Sequence, residues 1–73
     1  MKVIEETADQ LAIEALEAME KHGDEKILDR VSEIIGADSM TTQEAYLTSV
    51  RVRKAAMRAR KYLHSLEAKN SES

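Results

Sequence analysis

Apolar residues recur along this chain at helical spacing in three stretches, and two glycines separate them. From about 3 to 22, Ile4, Ala8, Leu11, Ala15, Ala18 and Met19 gather on one face at about 100° per residue. Glu6, Asp9, Glu17 and Glu20 fall on the opposite side. Lys21 and His22 end the stretch, where positive charge suits the helix dipole, and Gly23 stands where a left-handed C-terminal residue is usual. The spacing predicts a first helix over 3–22. A second, over 24–35, has Asp24 as its N-cap and a compact arc of Ile27, Leu28, Val31, Ile34 and Ile35, with Gly36 as its terminator. This is the densest cluster of large aliphatic residues in the chain, so it belongs at the centre of the core.

The third stretch opens with a capping box. In Thr41-Thr42-Gln43-Glu44, the Thr41 hydroxyl would cover a free backbone N–H while Glu44 reaches back, with Met40 and Ala45 as the hydrophobic staple. The predicted helix, 41–68, is roughly 40 Å long at 1.5 Å per residue, longer than the first helix can cover. Its apolar residues divide between two faces. A broad one holds Ala45, Thr48, Val52, Ala55, Ala56, Ala59, Leu63 and Leu66, and is expected to close the fold. A narrower seam of Val50, Met57 and His64, spaced seven apart, runs between a column of Arg53 and Arg60 and another of Arg51, Lys54, Arg58 and Lys61. Tyr46 and Tyr62 read as half-buried packing residues.

The expected fold is therefore all-α. It is a three-helix bundle, or a long helical hairpin with a short middle helix, whose first and third helices are antiparallel. One domain spans 1–68, and a disordered polar tail spans 69–73. Composition makes the core thin. Ten of the 73 residues are alanine, fifteen are Leu, Ile or Val, and none is Phe or Trp. No cysteine is available for disulfides or thiolate metal sites. Domains of this size seldom hold together on a small core alone, so oligomerisation is expected to help. No run approaches the roughly 20 apolar residues of a membrane span, and the opening MKVIEETADQ turns acidic at once, unlike a signal peptide. A cytoplasmic location follows as the expectation.

Charge is divided unevenly in this small acidic protein of net charge −3. Residues 1–40 carry a balance of −7 and residues 41–73 a balance of +4, with six basic residues packed between Arg51 and Lys61. Such a cluster suits an anion or nucleic acid. It equally suits an acidic first helix lying beside a basic third one, and that matching is the preferred reading.

Candidate chemistry adds little. His22 and His64 have no second ligand one turn on, which leaves no metal site. Ser32, Ser39, Ser49 and Ser65 lack His and Asp partners at a recognisable spacing, and there is no glycine-rich phosphate loop. Two tyrosines are too few to stack bases. Neither an enzyme, a cofactor nor a small-molecule substrate is expected.

The expected function is a regulator or adaptor that binds another protein, or itself, through helix–helix contacts, as a homodimer or heterodimer. A seven-residue seam flanked by long cations is what such a contact needs, so the partner-binding residues are Val50, Arg53, Lys54, Met57, Arg60, Lys61 and His64. The alternative is a DNA-binding regulator. The second helix, Gly36 and the capped third helix have the outline of a helix-turn-helix, although the first turns of the third helix carry no Lys or Arg.

Overall fold

A computed structural model of the chain describes the backbone of residues 2–72 and the side chains of residues 2–69. Three helices pack against one another: α1 (Lys2–His22), α2 (Lys26–Asp38) and α3 (Met40–Glu72). The bundle expected from the periodicity is present, and the described residues contain no strand.

The first turn forms as its sequence dictates. Gly23 adopts φ +64°, which side-chain-bearing residues rarely tolerate, and the Asp24 N–H closes back on the Met19 carbonyl at 3.2 Å. Asp24 holds the entry to α2, its Oδ1 accepting the Lys26 N–H at 3.0 Å, although α2 opens at Lys26 with Glu25 in the N-cap place and not Asp24 as expected.

The second turn departs from expectation. Gly36 does not end α2, which continues through it to Asp38. Its role is steric. A Cβ at Gly36 would lie 2.6 Å from Gln43 Cδ and 2.8 Å from Gln43 Oε1. The bare glycine lets the Gln43 side chain cross α2 and donate to the Ser32 carbonyl at 3.0 Å and the Ser32 Oγ at 3.3 Å. Ser32, in the expected arc's polar interval, is thereby buried and satisfied.

Ser39 alone joins α2 to α3. Its N–H bonds the Ile35 carbonyl at 2.9 Å, and its Oγ accepts the Thr42 N–H at 3.1 Å. One residue caps both helices, so α3 starts at Met40 and the cap is Ser39 rather than Thr41. The predicted staple is absent because Met40 points into solvent.

Three contacts define how α2 and α3 pair. Gln43 reaches Ser32, the Tyr46 hydroxyl donates to the Leu28 carbonyl at 2.9 Å, and Lys54 Nζ approaches Glu25 Oε1 at 3.9 Å. Positions rise along α3 as they fall along α2, so the two are antiparallel. α1 and α3 then run in the same general direction, contrary to the expected antiparallel pair. Asp9 meets Ser49 and Arg53, while Glu25, beyond the end of α1, lies beside the next residue along, Lys54. Two successive chain reversals leave no other order.

The core consists of Ala8, Ala12, Ala15 and Leu16 of α1, Leu28 of α2, and Tyr46 and Val50 of α3. Three alanines let α1 approach closely, and Tyr46, 0% exposed, fills the space between the helices. Burial raises its phenol pKa, and the nearby Asp29 carboxylate adds to the shift. Ile34, expected in the central arc, is instead 57% exposed. The helical backbone of α3 also runs on to Glu72, where a polar tail was expected from 69, because neither Pro nor Gly interrupts it. Position 73 lies outside the described residues.

Candidate interaction surface

α3 presents its two apolar faces the opposite way round from the periodicity's suggestion. Tyr46 and Val50 fall one turn apart on the line that continues through Arg53, Met57, Arg60 and His64, and this line turns toward α1. The broad face turns away. Val52 is 63% and Leu63 57% exposed, and Thr48, Ala55, Ala59 and Leu66 are exposed with them, while Ala45 and Ala56 are half-buried. From Met57 to Lys69 every residue is exposed. The reason is length. α3 has 33 residues, about 50 Å, whereas α1 has 21 and α2 only 13.

The seven residues predicted to bind a partner therefore separate into three groups. Val50 is a core residue at 7% exposure, unavailable to any other molecule. Arg53 and Lys54 are half-buried and paired with carboxylates of their own chain. Met57 and Arg60 line a groove between α1 and α3, and Lys61 and His64 stand in solvent on the uncovered half of α3.

The Arg53 contact is the strongest polar link between α1 and α3 among the described residues. Its guanidinium forks onto the Asp9 carboxylate, Nε to Oδ1 at 2.9 Å and Nη2 to Oδ2 at 2.7 Å. Ser49 Oγ donates to the same Oδ1 at 2.5 Å. The hydrogen bond from Arg53, then that from Ser49, hold the Asp9 carboxyl down at about 2, and Arg53 is pushed up in return. This pair matches one of the six clustered cations to the acidic α1, and does so between parallel helices where the matching was expected across an antiparallel pair. Lys54 and Glu25, at 3.9 Å with Glu25 well exposed, add little.

The groove has a cavity volume of about 530 Å³. Ile13 and Leu16 of α1 and Val52, Ala56 and Met57 of α3 make it apolar, with Glu17 and Glu20 along the α1 wall. It opens directly onto the stripe Val52, Ala56, Ala59, Leu63 and Leu66, whose intervals of four and three residues are those of a coiled-coil seam. Groove and stripe form one continuous apolar surface. Periodicity located the five stripe residues but assigned them to the interior, and it set Met57 on the outer seam. The signal that decides between the two faces is Tyr46, the largest side chain near the start of α3, which selects the line it belongs to as the core.

No three His or carboxylate side chains among the described residues are grouped to hold a metal ion. No helix of the described residues is long and apolar enough to cross a membrane. Comparison with protein-family models, with curated proteins and with solved structures finds no match to this chain.

Proposed function

We propose that this protein is a small non-enzymatic regulator or adaptor that binds protein through helix–helix contacts, working as a dimer with itself or with another chain. One observation carries the reading: the heptad-spaced stripe Val52, Ala56, Ala59, Leu63 and Leu66, exposed except for the half-buried Ala56, runs into an apolar groove. Isolated apolar residues are ordinary on a protein surface, but a contiguous patch of this kind marks an interaction site. Met57 and Arg60 stand at its margin, with Lys61 and His64 farther round the helix.

The DNA-binding alternative has less in its favour. A helix-turn-helix uses a turn of three or four residues, whereas Ser39 alone joins α2 to α3. Gln43, which would have to read bases, points inward to Ser32. No Lys or Arg occurs in α3 before Arg51.

The test compares the wild-type chain with Leu63→Glu. Wild-type protein should associate with itself or retain a defined partner from its host, and the variant, folded by circular dichroism, should lose that association. Equal behaviour of the two would overturn the reading. Salt-sensitive DNA binding, unchanged in Leu63→Glu, would replace it with the DNA-binding one.

A further inference from the structure

We infer that the occupant of the stripe is a second copy of this chain, packed parallel to the first about a two-fold axis running along α3. This rests on the stripe being a contact surface, and names what contacts it. The two edges of the stripe carry opposite net charge.

One edge is α1. Its groove wall carries Glu17 and Glu20, both exposed, beside Ile13, and two carboxylates there outnumber the single Arg60 that α3 sets across the groove. The other edge belongs to α3 itself. Arg51 and Arg58 each precede a stripe residue by one position and are exposed on the side away from α1. None of these four residues makes an ion pair with another of them among the described residues.

A stripe with one acidic and one basic edge complements itself in one orientation. In a parallel two-fold pair, each copy's left edge faces the other's right edge, so Glu17 and Glu20 of one copy meet Arg58 of the other, while Arg51 comes level with Asp9. The levels also agree. Asp9 sits opposite Ser49 and Arg53, and α1 and α3 run the same way, so Glu17 and Glu20 come level with the stretch containing Arg58. An antiparallel pair would instead bring the two α1 walls together, carboxylate against carboxylate. Opposite charges set partner and orientation in such helix pairs, while the apolar seam supplies the attraction. A parallel pair also sets Val52 on Val52, and Leu63 on Leu63, of the second copy, as an isologous contact requires.

Three measurements on the full chain test this. Sedimentation velocity at micromolar concentration should give twice the mass of the single chain, and Leu63→Glu should return it to one. Val52→Cys and Leu63→Cys, made separately in a chain with no other cysteine, should each form a covalent dimer on mild oxidation. In a charge exchange, a chain with Glu17→Lys and Glu20→Lys and a chain with Arg51→Glu and Arg58→Glu should each associate at least tenfold more weakly than wild type. Mixing the two should restore the pair, because every acidic edge again faces a basic one.

A wild-type monomer at these concentrations would overturn the inference. If that monomer still retained a host partner in a Leu63-dependent way, the proposed function would stand without it. Cross-linking only in a mixture of Val52→Cys with Leu63→Cys would overturn the parallel orientation, as would a charge exchange that fails to restore association.

Discussion

The two halves of α3 show how differently one helix can be held. Between Met40 and Ala56 it contributes Tyr46 and Val50 to the core, Gln43 to Ser32 and Arg53 to Asp9. Between Met57 and Lys69 every side chain is exposed, and the helix carries Tyr62, Leu63 and Leu66 in solvent. Propensity does not explain the contrast, since the well-held half carries Thr41, Thr42, Thr48, Ser49, Val50 and Val52, weaker helix formers than the Arg, Ala, Lys and Leu of the exposed half. Cover does. The first half lies against α1 and α2, whereas the second meets α1 only at the groove, through Met57 and Arg60, and then extends past both. The first half therefore holds the fold together, and the second displays a surface.

Four substitutions would sharpen or break that contrast. The largest effect belongs to Tyr46→Ala, which empties the centre of the bundle and leaves the Leu28 carbonyl without its donor. Urea unfolding should register a loss of about 3–5 kcal/mol, a large share of what holds so small a domain. A loss under about 1 kcal/mol would mean that Tyr46 does not organise the core.

Gly36→Ala comes next, at about 1 kcal/mol, because the Gln43 amide must swing aside and give up its bonds to Ser32, a loss partly offset by helix propensity. In a Gln43→Ala background the same substitution should cost nothing, or stabilise by up to about 1 kcal/mol through helix propensity. A double-mutant cycle without coupling would remove the steric account of this glycine.

Asp9→Asn tests the ion pair between α1 and α3. The Asp9 pKa is depressed from 3.8 to about 2, so the stability it contributes is present in full above 3.8 and disappears as pH falls toward 2. At pH 7 the variant should melt below wild type, and the difference should shrink between about pH 4 and pH 2. A constant difference across that range would show that Arg53 does not stabilise the ionised carboxylate.

The smallest effect on the single chain is expected from Leu63→Ala. With nothing of the bundle against it, its unfolding free energy at high dilution should stay within about 0.5 kcal/mol of wild type. At concentrations where the chain associates, the same substitution should lower the melting temperature, since a partner stabilises the folded state by mass action. A large loss in the dilute monomer would mean that Leu63 packs within its own chain after all.

Much of the fold was legible in the residues. The 3.6-residue spacing, the Gly23 turn and the Asp24 bond at the entry to α2 are local features, fixed by which conformations a few neighbouring residues allow. The candidate surface was only half legible. Its members were identifiable as an apolar face, yet that face was placed inside, and the line holding Val50 and Met57 outside. Helical periodicity reports that a face is apolar, not what stands opposite it. Ser39 as a shared cap, and Gly36 as a passage for Gln43 rather than a helix end, were hidden for a related reason. Each depends on how closely α2 approaches α3.

What the sequence determined by itself is three helices, their approximate limits, a thin alanine-rich core and an α3 too long for its companions. Tertiary structure decided the direction of α1 relative to α3, which line of α3 is buried, and that Ser32 and Gln43 pair inside. Helix formation is settled by contacts within a few residues. The choice of face is settled across the bundle, where one tyrosine filling the gap opposite Ala8 and Ala12 outweighs a longer stripe of alanines and leucines that no other helix reaches.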